Sequence, residues 1–413
     1  MKNAESYKWF IVFLLSIVAL LNYLDRQMLS TMKPAMQIDI SELQTATNFG
    51  WLMAVFLWIY GFMSPIAGLI ADRTNKKRLI IGSLFIWSFV TFAMGYATTF
   101  NQLFLLRALM GVSEALYIPA GLSLITDFHS SKTRSLAIGM HMTGLYLGQA
   151  LGGFGATIAT EFSWQVAFRS FGLIGMLYSI VLVIFLRNPS SEITQKSNTK
   201  SPLKKPVWAV LKILLSNLSF WIILFYFAVP SLPGWGVKNW LPTLFAGKLN
   251  IDMAQAGPIS TITTAISSFF GVIIGGIISD KWVKTNIRGR VYTSVIGLSL
   301  TIPALVMIGY GTSITHAVGA AVCFGLGFGI FDTNNMPILC QFVDSKYRAT
   351  AYGLMNFMGI MAGAIITSWL GKSTDKGNLA HDFAFLAGFV LLAVIIQITF
   401  LRPQVRDFVE EYT

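Results

Sequence analysis

Residues 188–206 read NPSSEITQKSNTKSPLKKP, the one long polar stretch in the chain. On either side of it the sequence is a succession of apolar runs separated by short polar breaks. A helix of about 20 residues crosses the hydrocarbon core of a bilayer, so each run is a candidate span. The runs fall at 8–29, 48–71, 78–98, 101–126, 134–160 and 165–187 before the polar stretch, and at 212–246, 256–279, 290–311, 313–340, 348–372 and 380–402 after it. The pattern predicts an all-α membrane protein of twelve transmembrane helices in two pseudo-symmetric six-helix bundles, residues 1–187 and 212–413, joined by a cytoplasmic linker over 188–211.

Composition points the same way. Of the 413 residues 54% are hydrophobic and only 12% charged, with a mean hydropathy of +0.65, whereas roughly a quarter of a soluble domain is charged. A β-barrel is excluded because its strands alternate polarity over about ten residues, and runs such as Trp9 to Leu21 do not. The first run has no small-residue cleavage site and is expected to stay in the mature protein as span 1. Cys323 and Cys340 share one run, which leaves no disulfide framework and no zinc spacing, and no metal or other cofactor is expected. No nucleophile, base and orienting group form a set, so the chain does not read as an enzyme. It also lacks the Gly-x4-Gly-Lys-Ser/Thr phosphate loop, so active transport would draw on an ion gradient.

The net charge of +12 has a positional explanation. With both termini in the cytoplasm, most of the Lys and Arg residues lie in or beside the inner segments, as the positive-inside rule requires. The basic balance then needs no nucleic acid. The expected location is a plasma membrane, of the bacterial inner-membrane kind, with the protein multi-pass and monomeric.

The two halves repeat each other. Gly68-Leu-Ile-Ala-Asp72-Arg73 recurs as Gly276-Ile-Ile-Ser-Asp280-Lys281. Gly111, Glu114 and Pro119 in span 4 match Gly329, Asp332 and Pro337 in span 10, all displaced by 218 residues, and Arg134 and Gly139 match Arg348 and Gly353 at 214. Paired halves of this kind are the architecture of rocking secondary transporters, which bind substrate near the midplane.

Gly68 to Leu79, GLIADRTNKKRL, resembles the loop signature of the major facilitator superfamily, and the resemblance covers essentially the whole chain. Asn75 stands where the signature has a second glycine, a tolerable change because both residues accept left-handed backbone. The resemblance implies a gating role on the inner side for Asp72 and Arg73, and for the repeat mate Asp280. Within the superfamily, NYLDR (22–26) and RALMGVSEALYIPA (107–120) look like the anion:cation symporters, which take up sugar acids and related organic anions with protons. The spinster-type lysolipid transporters carry a similar Asp-Arg pair and a similar Arg-x6-Glu pattern. From the symporter resemblance Tyr23 and Arg26 are expected to bind substrate, and Arg107 and Glu114 to belong to the proton-coupling network. Gly139, Gly144, Gly148, Gly152 and Gly153 track the glycine pattern of drug:proton antiporters, but Gln149 replaces their proline. Close helix packing through small residues is the simpler reading of these glycines.

Ionisable groups inside spans are costly, so each needs a partner or a task. Asp25 and Arg26 are adjacent, about 100° apart on a helix, and cannot serve one surface. Two roles are open to Arg26: an anion ligand, for which a guanidinium fork suits a carboxylate, or a structural ion pair or outer gate. Glu114 is the leading proton carrier, since burial favours the neutral acid and a nearby arginine the carboxylate, so a moving partner would switch it. The alternative is a static bridge to Arg107, two turns away on the same face. Asp25 and Asp332 are further coupling candidates. Asp332-Thr-Asn-Asn335-Met-Pro337 suggests a broken helix beside a cavity, whose amides would suit sugar hydroxyls. Gln149 and Asn356 are similar candidates for substrate, and Trp58 or Tyr60 for stacking on a sugar ring. His141 reads as a packing donor before a proton relay, and Lys238 beside Pro233, Gly234 and Pro242 suggests a bendable outer gate.

The expected function is thus proton-coupled import of a small organic anion, such as a hexuronate, aldonate or sialic acid, by alternating access. A spinster-like transporter of lysolipid or another amphiphile is the second reading. A non-transporting membrane sensor is the third, and would be expected to carry an appended cytoplasmic domain.

Overall fold

The computed structural model describes residues 2–129, 131–187, 207–344 and 347–403. Among these residues the chain is helical with no strand, and it forms two compact units that divide between Lys204 and Lys205.

The first unit holds α1 (Lys2–Asp39), α2 (Ala46–Arg73), α3 (Lys76–Met94), α4 (Phe100–Ala115), α5 (Tyr117–Phe128), α6 (Ser131–Gly152), α7 (Gly155–Glu161) and α8 (Trp164–Phe185). Helix starts are set by short polar side chains that accept the free N–H groups of the first turn. Thr45, Asn75, Thr99 and Ser163 cap α2, α3, α4 and α8 in this way. Asn75 is therefore not the left-handed residue that its place in the signature suggests. Its backbone is extended (φ −67°, ψ 111°), because its Oδ1 must reach the N–H of Arg78.

The second unit holds α9 (Val207–Leu215), α10 (Leu218–Leu249), α11 (Met253–Thr285), α12 (Gly289–Tyr310), α13 (Ile314–Asp332), α14 (Asn335–Phe342), α15 (Arg348–Asp375) and α16 (Leu379–Phe400). The expected linker lies outside the described residues over 188–206. Its last part, 207–211, is instead the start of α9, whose sequence VWAVLKILL is too apolar to serve as a solvated tether.

Eleven helical segments among the described residues are long and apolar enough to cross a membrane. The remaining expected span, 134–160, is helical as α6 and α7 but does not reach that apolarity. Its seam explains the shortfall. A Cβ added to Gly144 or Gly148 would overlap the carbonyl oxygen of Ser16 or Leu20, and one on Gly152 would lie 2.5 Å from Gln27 Cβ. α6 therefore packs backbone to backbone against α1, and glycine stands where other spans carry aliphatic side chains.

The repeat seen in the sequence is carried by equivalent contacts. A Cβ on Gly111 of α4 would sit 2.7 Å from the Phe56 carbonyl oxygen of α2, and one on Gly329 of α13 would overlap the Ser268 carbonyl oxygen of α11. Arg134 donates to the Thr126 carbonyl at 3.4 Å, and its mate Arg348 donates to the Cys340 carbonyl at 3.0 Å. Each arginine satisfies a free carbonyl at the end of a short helix, where a cation also complements the helix dipole. Both spans 4 and 10 break just after the repeated acid. Pro119 and Pro337 lack the N–H that would bind the carbonyl four residues back, and their rings crowd it. Other carbonyls beside the breaks take side-chain donors: Ser83 Oγ reaches the Ser113 carbonyl at 2.6 Å, and Asn334 Nδ2 reaches the Ile330 carbonyl at 2.8 Å.

Candidate functional site

Asn22 and Arg26 lie one turn apart on α1 and so project together. Both reach the same oxygen of Glu114 on α4. Asn22 Nδ2 donates to Oε2 at 2.9 Å and Arg26 Nε donates to it at 2.6 Å, with Glu114 and Asn22 fully buried. The pair is lopsided. Glu114 Oε1 and Arg26 Nη2 have no hydrogen-bond partner, so the guanidinium meets the carboxylate through one nitrogen and not through its two-pronged edge. Aromatic rings hold it in place: its Cζ is 5.1 Å from the centroid of Tyr23 and 4.7 Å from those of Phe56 and Tyr60, a setting that stabilises a cation away from water.

The bridge between Arg107 and Glu114 considered from the sequence does not form, because Arg26 takes that carboxylate. Arg107 is buried instead against Phe56, with its Cζ 4.7 Å from the ring centroid and Nη1 3.3 Å from Met110 Sδ, while its Nε has no partner. Phe56 thus serves two guanidinium groups at once. Asp25, turned about 100° from Arg26, faces α3, where Thr91 Oγ1 donates to its Oδ2 at 3.3 Å and its Oδ1 is left without a partner. Asp25, Arg26, Arg107 and Glu114 lie within electrostatic reach of one another.

Of the aromatic candidates on α2, Tyr60 joins this cluster and Trp58 does not. Phe56 and Tyr60 are one turn apart, whereas Trp58 lies between them in sequence and hence on the far face, stacked on the exposed ring of Phe62. Gln149 is buried on α6 and makes no hydrogen bond to the cluster. His141 supports the packing beneath it. The Tyr117 hydroxyl gives its hydrogen to the Leu15 carbonyl at 2.7 Å, so His141 Nε2, 2.8 Å away, is the donor to that hydroxyl, and Nδ1 is a bare acceptor.

The second unit carries its own polar group. Tyr226 Oη donates to Asn335 Oδ1 at 2.9 Å and lies 2.8 Å from Ser294 Oγ, and Asn335 Nδ2 donates to Asp332 Oδ1 at 3.1 Å. The charge of Lys238, which stands 5.0 Å from the Trp235 centroid, reaches Asp332. Asn356, half-buried on α15, takes no part in this chain. Asp280 pairs at 3.8 Å with Arg290 of its own unit, and Arg290 also donates to the Pro337 carbonyl at 3.4 Å. The side chains of Asp72 and Arg73, expected to act as gates, lie outside the described residues.

Reading the sequence missed Asn22, Phe56 and Thr91 in the first unit and Tyr226 and Ser294 in the second. Asn22 had a usable signal, since it stands one turn before Arg26. Phe56 had the same signal, one turn before Tyr60, whereas Thr91, Tyr226 and Ser294 lie on neighbouring helices and carry no such mark. Among the described residues no group of three or more His, Cys, Asp or Glu side chains is gathered for a metal ion.

Residues 15–368 match the family model described as Major Facilitator Superfamily. The hexuronate transporter of Bacillus subtilis (strain 168) is 25% identical over 411 residues, covering 95% of this chain and 94% of that protein. The probable galactarate/D-glucarate transporter GarP of Escherichia coli (strain K12) is 23% identical over 422 residues, covering 94% and 92%. Among solved structures, a bacterial homologue of the human lysosomal transporter Spinster, in an inward-facing and occupied conformation, superposes with a TM-score of 0.76 at 18% identity over 95% of this chain and 96% of that one. At that identity the likeness is one of fold.

Proposed function

This chain belongs to the Major Facilitator Superfamily, and on that premise we propose that it imports a sugar acid, such as a hexuronate or an aldonate, together with a proton. The relatives named for hexuronate and galactarate/D-glucarate support the substrate class. The observation that carries the mechanism is the one-sided contact between Arg26 and Glu114 at 2.6 Å. Glu114 and a substrate carboxylate are rivals for one guanidinium. While charged, Glu114 holds Arg26 Nε and leaves Nη2 without an acceptor. When Glu114 takes a proton the ion pair loses its Coulomb attraction, and Arg26 is free to turn both prongs to the substrate. Proton and anion then bind together and leave together, which is symport by alternating access. Asn22 keeps Glu114 oriented in either state. Tyr23 and Tyr60 flank the guanidinium, and Arg107 and Asp25 set the surrounding charge. Tyr23, Arg26 and Tyr60 are accordingly assigned to substrate binding, and Asp25, Arg107 and Glu114 to coupling.

In this reading the protein sits in the plasma membrane with both termini in the cytoplasm, as the distribution of Lys and Arg favours. The test is uptake of labelled glucuronate into proteoliposomes with an acidic exterior. Accumulation above the external concentration, abolished by a protonophore, supports the reading. Uptake that merely equilibrates would remove proton coupling, and no uptake or binding of any sugar acid would remove the substrate class.

A further inference from the structure

α9 is too short to cross a bilayer, about 14 Å against a hydrocarbon core of about 30 Å, and too apolar to lie in water. Lys212 is its one charged side chain, and the other eight are apolar. It packs against α10 and α15, with Leu214 buried on the inward face. On the outward face Trp208 is 81% exposed, and Lys212 and Leu215, one and two turns further on, are exposed beside it. A helix that ends in water leaves its last four carbonyls to the solvent. Here the protein supplies a donor to each: Ser216 N–H to Lys212 at 3.0 Å, Ser216 Oγ to Ile213 at 3.0 Å, Asn217 N–H to Leu214 at 3.1 Å and Trp221 Nε1 to Leu215 at 2.7 Å. Asn217 Oδ1 then accepts the Ser219 N–H and caps α10. The turn between the two helices satisfies itself, as backbone must where water is scarce.

We propose that α9 is a lipid-binding element that lies in the cytoplasmic headgroup layer and selects anionic phospholipid. The charge balance names the partner. Residues 188–212 hold five lysines, Lys196, Lys200, Lys204, Lys205 and Lys212, against one acid, Glu192, and a basic segment beside a membrane is drawn to anionic headgroups. A tryptophan next to a lysine on a short apolar helix suits the same layer, where the ring sits among the headgroups and the ammonium meets phosphate. Trp208 and Leu215 thus supply the apolar contact, and Lys212 with the lysines before it supplies the charge. Because α9 runs into α10 through the closed turn at Ser216 and Asn217, anchoring it fixes where α10 enters the bilayer. The cytoplasmic side is taken from the Lys and Arg distribution that places the termini. The proposal concerns the second unit alone and is independent of which substrate is carried.

The experiment uses the full chain with C323S and C340S, labelled with a fluorophore at A209C and reconstituted in vesicles. Quenching is compared for phosphatidylglycerol and phosphatidylcholine carrying a nitroxide at the same acyl position near the headgroup, and for aqueous iodide. Phosphatidylglycerol should quench about three-fold or more as efficiently as phosphatidylcholine, and iodide should quench little. The triple variant K204E, K205E, K212E should bring the two lipids level, K212Q alone should narrow the ratio, and W208S should open the face to iodide. Inorganic phosphate and soluble glycerol phosphate should leave the ratio unchanged, which separates a lipid headgroup from a free phosphate. Equal quenching by the two lipids in the parent protein, a ratio that neither lysine variant moves, a ratio abolished by free phosphate, or a W208S protein as shielded from iodide as its parent would overturn the proposal. So would a label that iodide reaches and lipid does not, or one shielded from all three quenchers, which would give this face to another part of the chain.

Discussion

Glu114→Gln separates binding from coupling. Glutamine keeps an acceptor oxygen for Asn22 Nδ2 and Arg26 Nε, so the local geometry persists, but it cannot carry a charge or release a proton. Two unit charges about 4 Å apart attract by about 4 kcal/mol at an effective dielectric of 20, so charged Glu114 is a substantial competitor for any anion that Arg26 is to bind. In the wild type, anion binding that requires proton uptake by Glu114 should tighten as pH falls, by up to about ten-fold per pH unit for one linked proton. The sign follows from linkage: the bound state holds the extra proton, so lower pH favours it. In the variant the affinity should be flat with pH and at least as tight as the tightest wild-type value. Titration calorimetry with glucuronate from pH 5.5 to 8.5 gives the two slopes, and counterflow against pH-driven uptake in matched proteoliposomes gives the functional counterpart. Exchange should survive while accumulation is lost. A variant that keeps the pH slope, or still concentrates substrate on a pH gradient, would refute the rivalry for Arg26 and pass the coupling role to Asp25. Loss of exchange and uptake together with a lowered melting temperature would show Glu114 to be a structural partner, because leaving Arg26 buried without its charge partner destabilises by about 3–5 kcal/mol.

Three further outcomes are expected. Arg26→Lys should weaken sugar-acid binding at least ten-fold by calorimetry, because a single ammonium cannot reproduce the fork or stack flat among Tyr23, Phe56 and Tyr60; near-normal affinity would take Arg26 out of the site. Gly148→Ala should lower the melting temperature of purified protein, with a cost of about 1–3 kcal/mol for overpacking, whereas Gly139→Ala on the same helix meets nothing within 4 Å and should be neutral or slightly stabilising; equal effects at the two positions would deny the seam between α1 and α6. Tyr117→Phe removes the donor to the Leu15 carbonyl and the acceptor for His141, and should destabilise by about 1–3 kcal/mol without changing substrate affinity, measured by thermal unfolding and calorimetry side by side.

Much of this was legible in the order of residues, for identifiable reasons. Span positions follow from one-dimensional apolarity, and the internal repeat follows from Gly111, Glu114 and Pro119 recurring as Gly329, Asp332 and Pro337. A break was expected at Pro337, and the same logic applied to Pro119 would have found the break after Glu114. What could not be read was the choice of partner. Arg26 and Arg107 were both credible mates for Glu114, and the choice depends on how α1, α2 and α4 cross, which Gly111 sets by admitting the Phe56 backbone. Trp58 and Tyr60 could not be told apart, because an aromatic-rich helix carries rings on every face and composition does not say which of them meets Arg26. Asn75 was read by what its backbone tolerates, when its role is set by what its side chain accepts.

The glycine seam between α1 and α6 has a mechanical meaning. Where two helices meet through side chains, rotamer changes let one slide past the other like loosely meshed teeth. Here there is no side chain to yield: Gly144, Gly148 and Gly152 each lodge against α1 main chain or Cβ, and a register shift of one residue would drive Thr143 or Leu145 into Ser16 and Leu147 or Gln149 into Leu20. The two helices are splined, free to turn together and blocked from shear. Arg26 stands within two residues of the Leu24 and Gln27 contacts of that seam, so a rotation of α6 is passed to the stretch of α1 backbone that carries the guanidinium, as through a shaft.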